Sequence, residues 1–135
     1  MATPKESATE RRALRVLIVD DNKDAADVLA INLKTHLNTT TVANSGKAGL
    51  ASARATVPDV VILDIGMVDP NGYEVARTLR DEFPGHPMLI IAVTGWAGEG
   101  NRQRAMDAGF DHHLVKPVLT AELHALIDKW AAETG

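Results

Sequence analysis

The sequence contains no cysteine, which excludes disulfide bonds, thiolate metal sites and a thiol nucleophile and fits a reducing compartment. It also lacks any apolar run that approaches the roughly 20 residues needed to span a bilayer. The polar start of the chain shows no apolar stretch of the kind found in a secretory signal. We therefore expect a cytoplasmic protein with no membrane partner.

Neither sign of charge is in strong excess. The chain has 14 lysines and arginines against 18 aspartates and glutamates, a formal net charge of −4, which argues against a nucleic-acid surface. Its 135 residues, 45% of them hydrophobic, suit one domain with its own core. We predict a flexible N-terminal lead over residues 1–13, the domain over 14–132 and a short C-terminal end over 133–135.

Two hydrophobic periods alternate along the chain. Apolar runs typical of buried strands fall at residues 16–19, 60–63, 88–93 and 114–115, and a more polar run at 39–43 predicts an edge strand. The segments between the runs repeat apolar residues at helical spacing. The helix faces that this spacing predicts to be buried consist of Ala26, Leu29, Leu33 and Leu37, of Val75, Leu79 and Phe83, and of Leu119, Leu123, Leu126, Ile127 and Trp130.

This alternation predicts the fold class. Five strand–helix units with apolar strands indicate a parallel sheet covered by helices on both faces and joined by right-handed crossovers. We therefore predict an α/β protein with a flavodoxin-like (βα)5 doubly wound sheet, in the strand order 2-1-3-4-5.

Carboxylates stand at the carboxyl ends of two of these strands. Asp20 and Asp21 follow the first strand, and Asp64 ends the third. In the predicted order the two strands are neighbours, about 4.8 Å apart, and such sheets bind ligands at this edge. Three aspartates in one crevice repel one another at neutral pH unless a proton or a cation relieves them. Mg²⁺, which prefers oxygen ligands, is the expected ion, with Mn²⁺ as the alternative.

Two further strand ends carry complementary groups. Thr94 ends the fourth strand and Lys116 follows the fifth. A hydroxyl and an ammonium beside a metal-bound carboxylate are the groups that would stabilise a phosphoryl group on that carboxylate. Asp64, which stands alone after its strand, is the expected nucleophile.

These residues, in this order and each at a strand end, resemble the receiver domain of two-component response regulators. The resemblance covers about residues 14 to 132. It implies a histidine kinase or histidine phosphotransfer protein as the phosphoryl donor, and a downstream protein target that the sequence does not name. The motif set that carries it consists of Asp20, Asp21, Asp64, Thr94, Lys116 and Pro117.

The resemblance also implies a role for each member of the acidic cluster. Asp64 would be the phosphoacceptor and a ligand of the ion. Asp21 would bind the ion directly and Asp20 through water, and the main-chain carbonyl of Gly66 would complete the protein's share.

The remaining members belong to the implied switch. Thr94 would move to bind the phosphoryl group, and Lys116 would pair with it. The family implies a cis peptide bond before Pro117, which borders the switch surface.

The chain departs from the family pattern at several positions. Val68 stands where a proline is common, so the loop after the acceptor loses one restraint. His113, three residues before Lys116, replaces the usual tyrosine or phenylalanine and could make the switch respond to pH. Gly66 and Trp96 occupy the two positions that tune loss of phosphate. Since Gly66 cannot position a water and Trp96 could shield the acyl phosphate, we predict slow self-dephosphorylation.

The fourth helix is predicted to be weakly anchored and therefore cheap to move. It offers only Ala105, Met106 and Ala108 to the sheet, beside charged residues such as Arg102. Together with the fifth strand and Trp96, it is the expected partner surface.

These residues are compatible with more than one function. The favoured one is a stand-alone receiver that signals through its binding surface and is not an enzyme acting on external substrates. The alternative is a phosphorelay intermediate, complete or excised from a hybrid kinase, that passes phosphate to a histidine phosphotransfer partner. A Mg²⁺-dependent phosphohydrolase is less favoured because the first strand ends Asp-Asp-Asn-Lys and lacks the Asp-x-Asp pattern. A flavin or nucleotide module is disfavoured because the same loop is acidic and has no glycine.

Overall fold

Strands and helices alternate along the whole described chain. The computed structural model describes residues 12–34, 38–67, 70–95 and 99–134. The strands are β1 (Leu14–Val19), β2 (Asn38–Ala43), β3 (Val60–Asp64), β4 (Leu89–Thr94) and β5 (His112–Val115). The helices are α1 (Lys23–Leu33), α2 (Gly46–Ala55), α3 (Gly72–Glu82), α4 (Glu99–Ala108) and α5 (Thr120–Thr134).

The five strands form one parallel sheet in the order β2-β1-β3-β4-β5. The predicted fold class and strand order are therefore confirmed, and the polar second strand lies at an edge as expected. In the register of the central pair, Val19 of β1 lies opposite Leu63 of β3. Asp20 and Asp64 therefore follow at the same level of the sheet, which brings their side chains to one edge.

Side chains alternate between two apolar layers because successive residues of a strand point to opposite faces. On one face, Val61 and Leu63 of β3 pack with apolar residues of α2, α3 and α4. On the other face, Val60 and Ile62 pack with residues of α1 and α5. All five residues of β3 are buried, as expected for a central strand covered on both faces.

Three helices begin with a polar cap in the sequence positions that favour it. Asn22 accepts a hydrogen bond from Ala25 N, and Ser45 accepts one from Ala48 N. At α3, Asn71 and Glu74 form a reciprocal capping box. Each cap satisfies backbone donors that have no partner inside the helix and starts the helix directly after a loop at the ligand-binding edge.

Two apolar side chains are more exposed than helical spacing predicts. Leu119 is 66% exposed because it precedes the first helical residue, Thr120, so that the helical phase does not apply to it. Met106 is 43% exposed, whereas Ala105 and Ala108 are buried. The predictions for Leu119 and Met106 were wrong, and α4 is anchored by fewer apolar side chains than expected. Leu37 lies outside the described residues.

An arginine joins the ends of several elements at the edge of the sheet opposite the acidic cluster. Arg80 of α3 donates to the carbonyl oxygens of Gly109 and Met88 at 2.9 and 2.8 Å and to Asp111 at 2.8 Å. Asp111 also accepts from Ile90 N at 2.8 Å. Gly109, which ends α4, has φ 109°, a conformation that favours glycine. The C-terminal end of α4 is therefore tied to α3 and to the first residues of β4.

Residues 1–11 of the predicted lead lie outside the described chain. Within the described ranges, no helix is both long and apolar enough to cross a membrane.

Candidate functional site

The first part of the site is Asp20, which follows β1 and is 9% exposed. Its backbone N–H continues the ladder to β2 by donating to Ala43 O at 3.1 Å. Its Oδ1 accepts from Asn22 N at 2.9 Å, at the entry to α1. These bonds hold the carboxylate at the sheet edge, while Asp21 beside it is exposed to solvent.

The second part is Asp64, the last residue of β3, which is 8% exposed. Its Oδ1 accepts from Gly66 N at 2.9 Å. The next residue, Ile65, is buried and donates its backbone N–H to Val93 O at 3.0 Å. The Asp64 carboxylate therefore sits on main chain that is fixed to the neighbouring strand.

The structure brings the three aspartates together as predicted. Each of Asp20, Asp21 and Asp64 offers a carboxylate oxygen that lies within 4.8 Å of the others. A purely oxygen donor set, open to water at Asp21, is of the kind that a hard divalent cation prefers. The carbonyl of Gly66 as a further ligand stays a prediction.

Lys116 supplies the positive charge at this edge. Its Nζ lies 3.5 Å from Asp20 Oδ2 and 3.8 Å from Asp64 Oδ2. The Lys116–Pro117 peptide bond is cis, as the resemblance implied. Lys116 N donates to Thr94 O at 2.7 Å, which joins the lysine to the end of β4. Thr94 itself is 2% exposed.

The environment of Asp64 makes its ionised form less favourable than that of an exposed aspartate. Burial raises the pKa of Asp64 above its ordinary value, and the neighbouring Asp20 carboxylate adds to the increase. The hydrogen bond from Gly66 and the charge of Lys116 act in the opposite direction without cancelling the effect. A carboxylate kept in such a place costs stability unless a cation compensates it, which is typical of a functional group.

His113 lies on β5, the edge strand that pairs with β4. It pairs with Ala92 of β4 in the sheet register, and its Nε2 is buried with no hydrogen-bond partner among the described residues. Burial lowers the pKa of His113, and the charge of exposed Arg102 on α4 lowers it further. The predicted switch residues His113 and Arg102 are therefore electrostatically coupled. Trp96 and Val68 lie outside the described residues.

One residue at the site was missed by the sequence analysis. Asn44, directly after β2, donates its Nδ2 to the backbone carbonyl of Asp20 at 3.1 Å. Its only signal in the sequence is an asparagine between the edge strand and the cap residue Ser45, a position that turn chemistry explains equally well.

An open groove borders the site between α1 and the segment after β5. Asp20 and Lys116 line its inner end, and Val28 and Pro117 contribute apolar surface. Val28 is 59% exposed. Asp20 and Lys116 therefore border a groove that is open on the side of α1.

Comparison with known proteins agrees with this fold. Residues 16–128 match the family model described as the response regulator receiver domain. The chain is 34% identical over 120 residues to the probable transcriptional regulatory protein TcrX of Mycobacterium tuberculosis. It is 30% identical over 118 residues to the cell cycle response regulator CtrA of Brucella ovis. These matches cover 89% and 84% of this chain but 50% of each relative, so the chain spans about half the length of these two proteins.

Other relatives match along most of their length. An uncharacterized 14.6 kDa protein of Leptolyngbya boryana is 32% identical over 115 residues, which are 85% of this chain and 88% of that protein. A CheY-like receiver domain from Methanospirillum hungatei has a TM-score of 0.81 at 29% identity, covering 90% of this chain and 95% of that one. A two-component response regulator from Clostridium difficile, with a TM-score of 0.84 at 20% identity and coverage of 90% and 98%, shows the same fold.

The chain belongs to the response regulator receiver family. Members of this family are signalling modules.

Proposed function

We propose that the chain accepts a phosphoryl group on Asp64 from a phosphohistidine and signals by a phosphorylation-dependent change of its binding surface. The observation that carries this proposal is the convergence of Asp64, two further carboxylates and Lys116 at one end of the sheet. The donor would be a histidine kinase or a histidine phosphotransfer protein, and we expect the exchange to take place in the cytoplasm.

In the proposed reaction, a carboxylate oxygen of Asp64 attacks phosphorus, a P–O bond forms and the P–N bond of the phosphohistidine breaks. The leaving imidazole nitrogen keeps the electron pair of the broken bond. Gly66 N holds Oδ1 of the nucleophile, and Lys116 Nζ, 3.8 Å from Oδ2, would balance charge on the transferred group. Thr94, at the end of β4, would donate its hydroxyl to the same group.

Asp20, Asp21 and Asp64 would hold Mg²⁺, with Mn²⁺ as the alternative ion. When bound, the ion neutralises charge on the carboxylates and on the phosphoryl oxygens. The chain's own contribution is to keep the three side chains within reach of one another. At Asp20, the bond donated by Asn22 N and the bond from Asp20 N to Ala43 O contribute to this, and at Asp64 the bond donated by Gly66 N does so.

The proposed output surface is the face formed by α4 and β5, bordered by Pro117, with Trp96 expected beside it. Two observations support it. First, among the described side chains of α4 only Ala105 and Ala108 lie in the core, so little apolar burial opposes a shift of its N-terminal end. Second, the buried Nε2 of His113 has no partner among the described residues, which leaves it able to gain one on rearrangement. A phosphoryl group shifts this equilibrium only by its differential affinity for the two states.

The proposed partner contact for phosphoryl transfer needs access to Asp64. The groove between α1 and the segment after β5 leads toward it, since Asp20 and Lys116 line this groove and Lys116 Nζ lies 3.8 Å from Asp64 Oδ2. Exposed Val28 at its rim offers apolar surface for a protein donor.

The test is the intact mass of the protein after incubation with acetyl phosphate, with and without Mg²⁺. We expect a gain of one phosphoryl group that requires Mg²⁺ and is lost in Asp64→Asn. The matched control is Asp81→Asn, which removes an exposed carboxylate from α3 and should retain the gain. Folded wild-type protein that gains no mass would refute the proposal.

A second measurement separates a receiver that signals directly from a relay intermediate. Phosphorylated protein, freed of acetyl phosphate, is mixed with a histidine phosphotransfer protein. Movement of the phosphoryl group to that partner would support the relay, and retention on Asp64 would support direct signalling. Turnover of external phosphoesters would instead indicate a phosphohydrolase.

A further inference from the structure

The turn that joins β2 to α2, residues 43–46, contacts both halves of the phosphorylation site although it carries none of the acidic cluster. On the β1 side, Ala43 O accepts from Asp20 N at 3.1 Å, and Asn44 Nδ2 donates to Asp20 O at 3.1 Å. This carbonyl belongs to the peptide that links Asp20 to Asp21. Asn44 therefore holds the peptide between the two carboxylates expected to bind the ion.

On the β3 side, the same turn packs against the loop that follows Asp64. Gly46 is buried, and a Cβ built on it would lie 2.7 Å from Pro70 O and 2.9 Å from Pro70 Cγ. Contacts under 3.0 Å are essentially never made by real Cβ atoms. Gly46, the first residue of α2, thus lies so close to Pro70 in the loop after Asp64 that only glycine fits.

One contact is with the residue after β1, and the other is with the segment between β3 and α3. The bond from Asn44 sets the position of the β1 end, and Gly46 sets the position of the loop that leads from Asp64 to α3. Since Val68 stands where the family commonly has proline, the contact at Pro70 supplies a restraint on this loop that does not depend on that proline.

We infer that Asn44 and Gly46 are positioning residues, which hold the Asp20–Asp21 peptide and the loop after Asp64 at the spacing that lets their carboxylates share one divalent cation. The inference rests on the proposed function. It assigns to the edge strand and α2, which provide no ligand, the task of setting the geometry of the ion site. Residues that orient the ligands of a metal commonly affect its affinity nearly as much as the ligands do.

The test compares Asn44→Ala, Gly46→Ala and the control Ser45→Ala. The Ser45 hydroxyl accepts from Ala48 N at 3.0 Å within α2, so its removal loosens the start of the helix without removing a bond to Asp20. For each protein, the dissociation constant of Mg²⁺ is measured by calorimetry. The midpoint of urea unfolding and the rate of phosphorylation by acetyl phosphate at saturating Mg²⁺ are measured alongside.

We expect Asn44→Ala and Gly46→Ala to raise the Mg²⁺ dissociation constant about 3–10-fold, the range that corresponds to loss of one net hydrogen bond or of a comparable restraint. Phosphorylation at saturating Mg²⁺ should change much less. Ser45→Ala should lower the urea midpoint and leave Mg²⁺ affinity unchanged. If the turn had only a structural role, the variants would lose Mg²⁺ affinity in proportion to their loss of stability, and this contrast would not be seen.

Wild-type affinity in Asn44→Ala would overturn the inference, as would an equal loss of affinity in Ser45→Ala. If Gly46→Ala fails to fold, Asn44→Ala decides alone. Failure of wild type to bind Mg²⁺ would refute the proposed function and the inference with it. Normal binding and phosphorylation in wild type, with no effect of either variant, would refute the inference and leave the proposed function standing.

Discussion

Asp64→Asn should stabilise the metal-free protein while abolishing its proposed chemistry. The carboxylate is 8% exposed and faces Asp20, so its ionised form is disfavoured in the fold. The substitution keeps an acceptor for Gly66 N and replaces Oδ2 by an amide that can donate to Asp20. It gives up the contact with Lys116 at 3.8 Å, whose side chain is 39% exposed; such solvent-exposed pairs are worth less than about 1 kcal/mol.

We therefore expect Asp64→Asn to raise the free energy of unfolding by about 0.5–2 kcal/mol at pH 7.5 in EDTA, the usual gain when a strained functional group is relieved. For a domain of this size that corresponds to a rise in melting temperature of roughly 2–8 °C. Urea unfolding gives the free energy, and Asp81→Asn, which alters an exposed carboxylate, should stay within about 0.5 kcal/mol of wild type.

The rise in the free energy of unfolding caused by Asp64→Asn should depend on pH. Because burial raises the pKa of Asp64, the folded protein binds this proton more tightly than the unfolded chain does. The cost of the ionised carboxylate is therefore absent below about pH 4, the ordinary pKa of an aspartate, and is complete only above the raised pKa. The difference between variant and wild type should shrink as pH falls through that window.

Mg²⁺ should reduce the stability advantage of Asp64→Asn over wild type. At ten times its dissociation constant the ion stabilises wild type by about 1.4 kcal/mol, whereas the variant, which lacks one ligand, should gain less. If Asp64→Asn is no more stable than wild type at pH 7.5 in EDTA, or if its advantage persists unchanged at pH 4, the account of this carboxylate as a buried, uncompensated charge is wrong.

Three further predictions concern other parts of the molecule. Arg80→Met should destabilise the fold by about 2–4 kcal/mol in urea unfolding because it leaves partners of a charged hydrogen-bond network unsatisfied, whereas Arg77→Met, which changes an exposed residue of the same helix, should have little effect. Arg102→Gln should raise the pKa of His113 in an NMR titration, since the arginine charge lowers that pKa; an unchanged value would exclude the coupling. Gly66→Asn places a polar side chain beside Asp64 Oδ1, 3.4 Å from the Cβ position, and should shorten the lifetime of the phosphorylated protein, measured by mass spectrometry without a phosphatase.

Much of the fold could be predicted because local patterns and the sheet agree. The run over residues 60–63 is apolar at every position, which is typical of a strand covered on both faces, and β3 is buried throughout. The more polar run at residues 39–43 indicated an edge strand, because a strand at the edge of the sheet is less covered by other elements than a central strand. Leu119 shows the limit of this reasoning, because its exposure depends on where α5 begins and not on spacing alone.

The candidate site could be predicted in part. Asp20 follows β1 directly and Asp64 ends β3, so parallel packing alone brings them to one edge. Asn44 and Gly46 could not be found in this way, since a polar residue and a glycine after a strand are explained equally well as turn residues. Arg80 and Asp111 are 31 residues apart, and nothing in either local sequence marks them as partners.

The sequence by itself determined the alternation of strands and helices, the parallel sheet, the family and the acidic residues at strand ends, because each depends on a short pattern or on strand direction. Only the tertiary structure decided the distances within the cluster, the raised pKa of Asp64 and the contacts that Asn44 and Gly46 make from a different strand–helix unit. These depend on how close separate segments approach and on how much water they exclude, which are properties of packing across the sheet and not of any one segment.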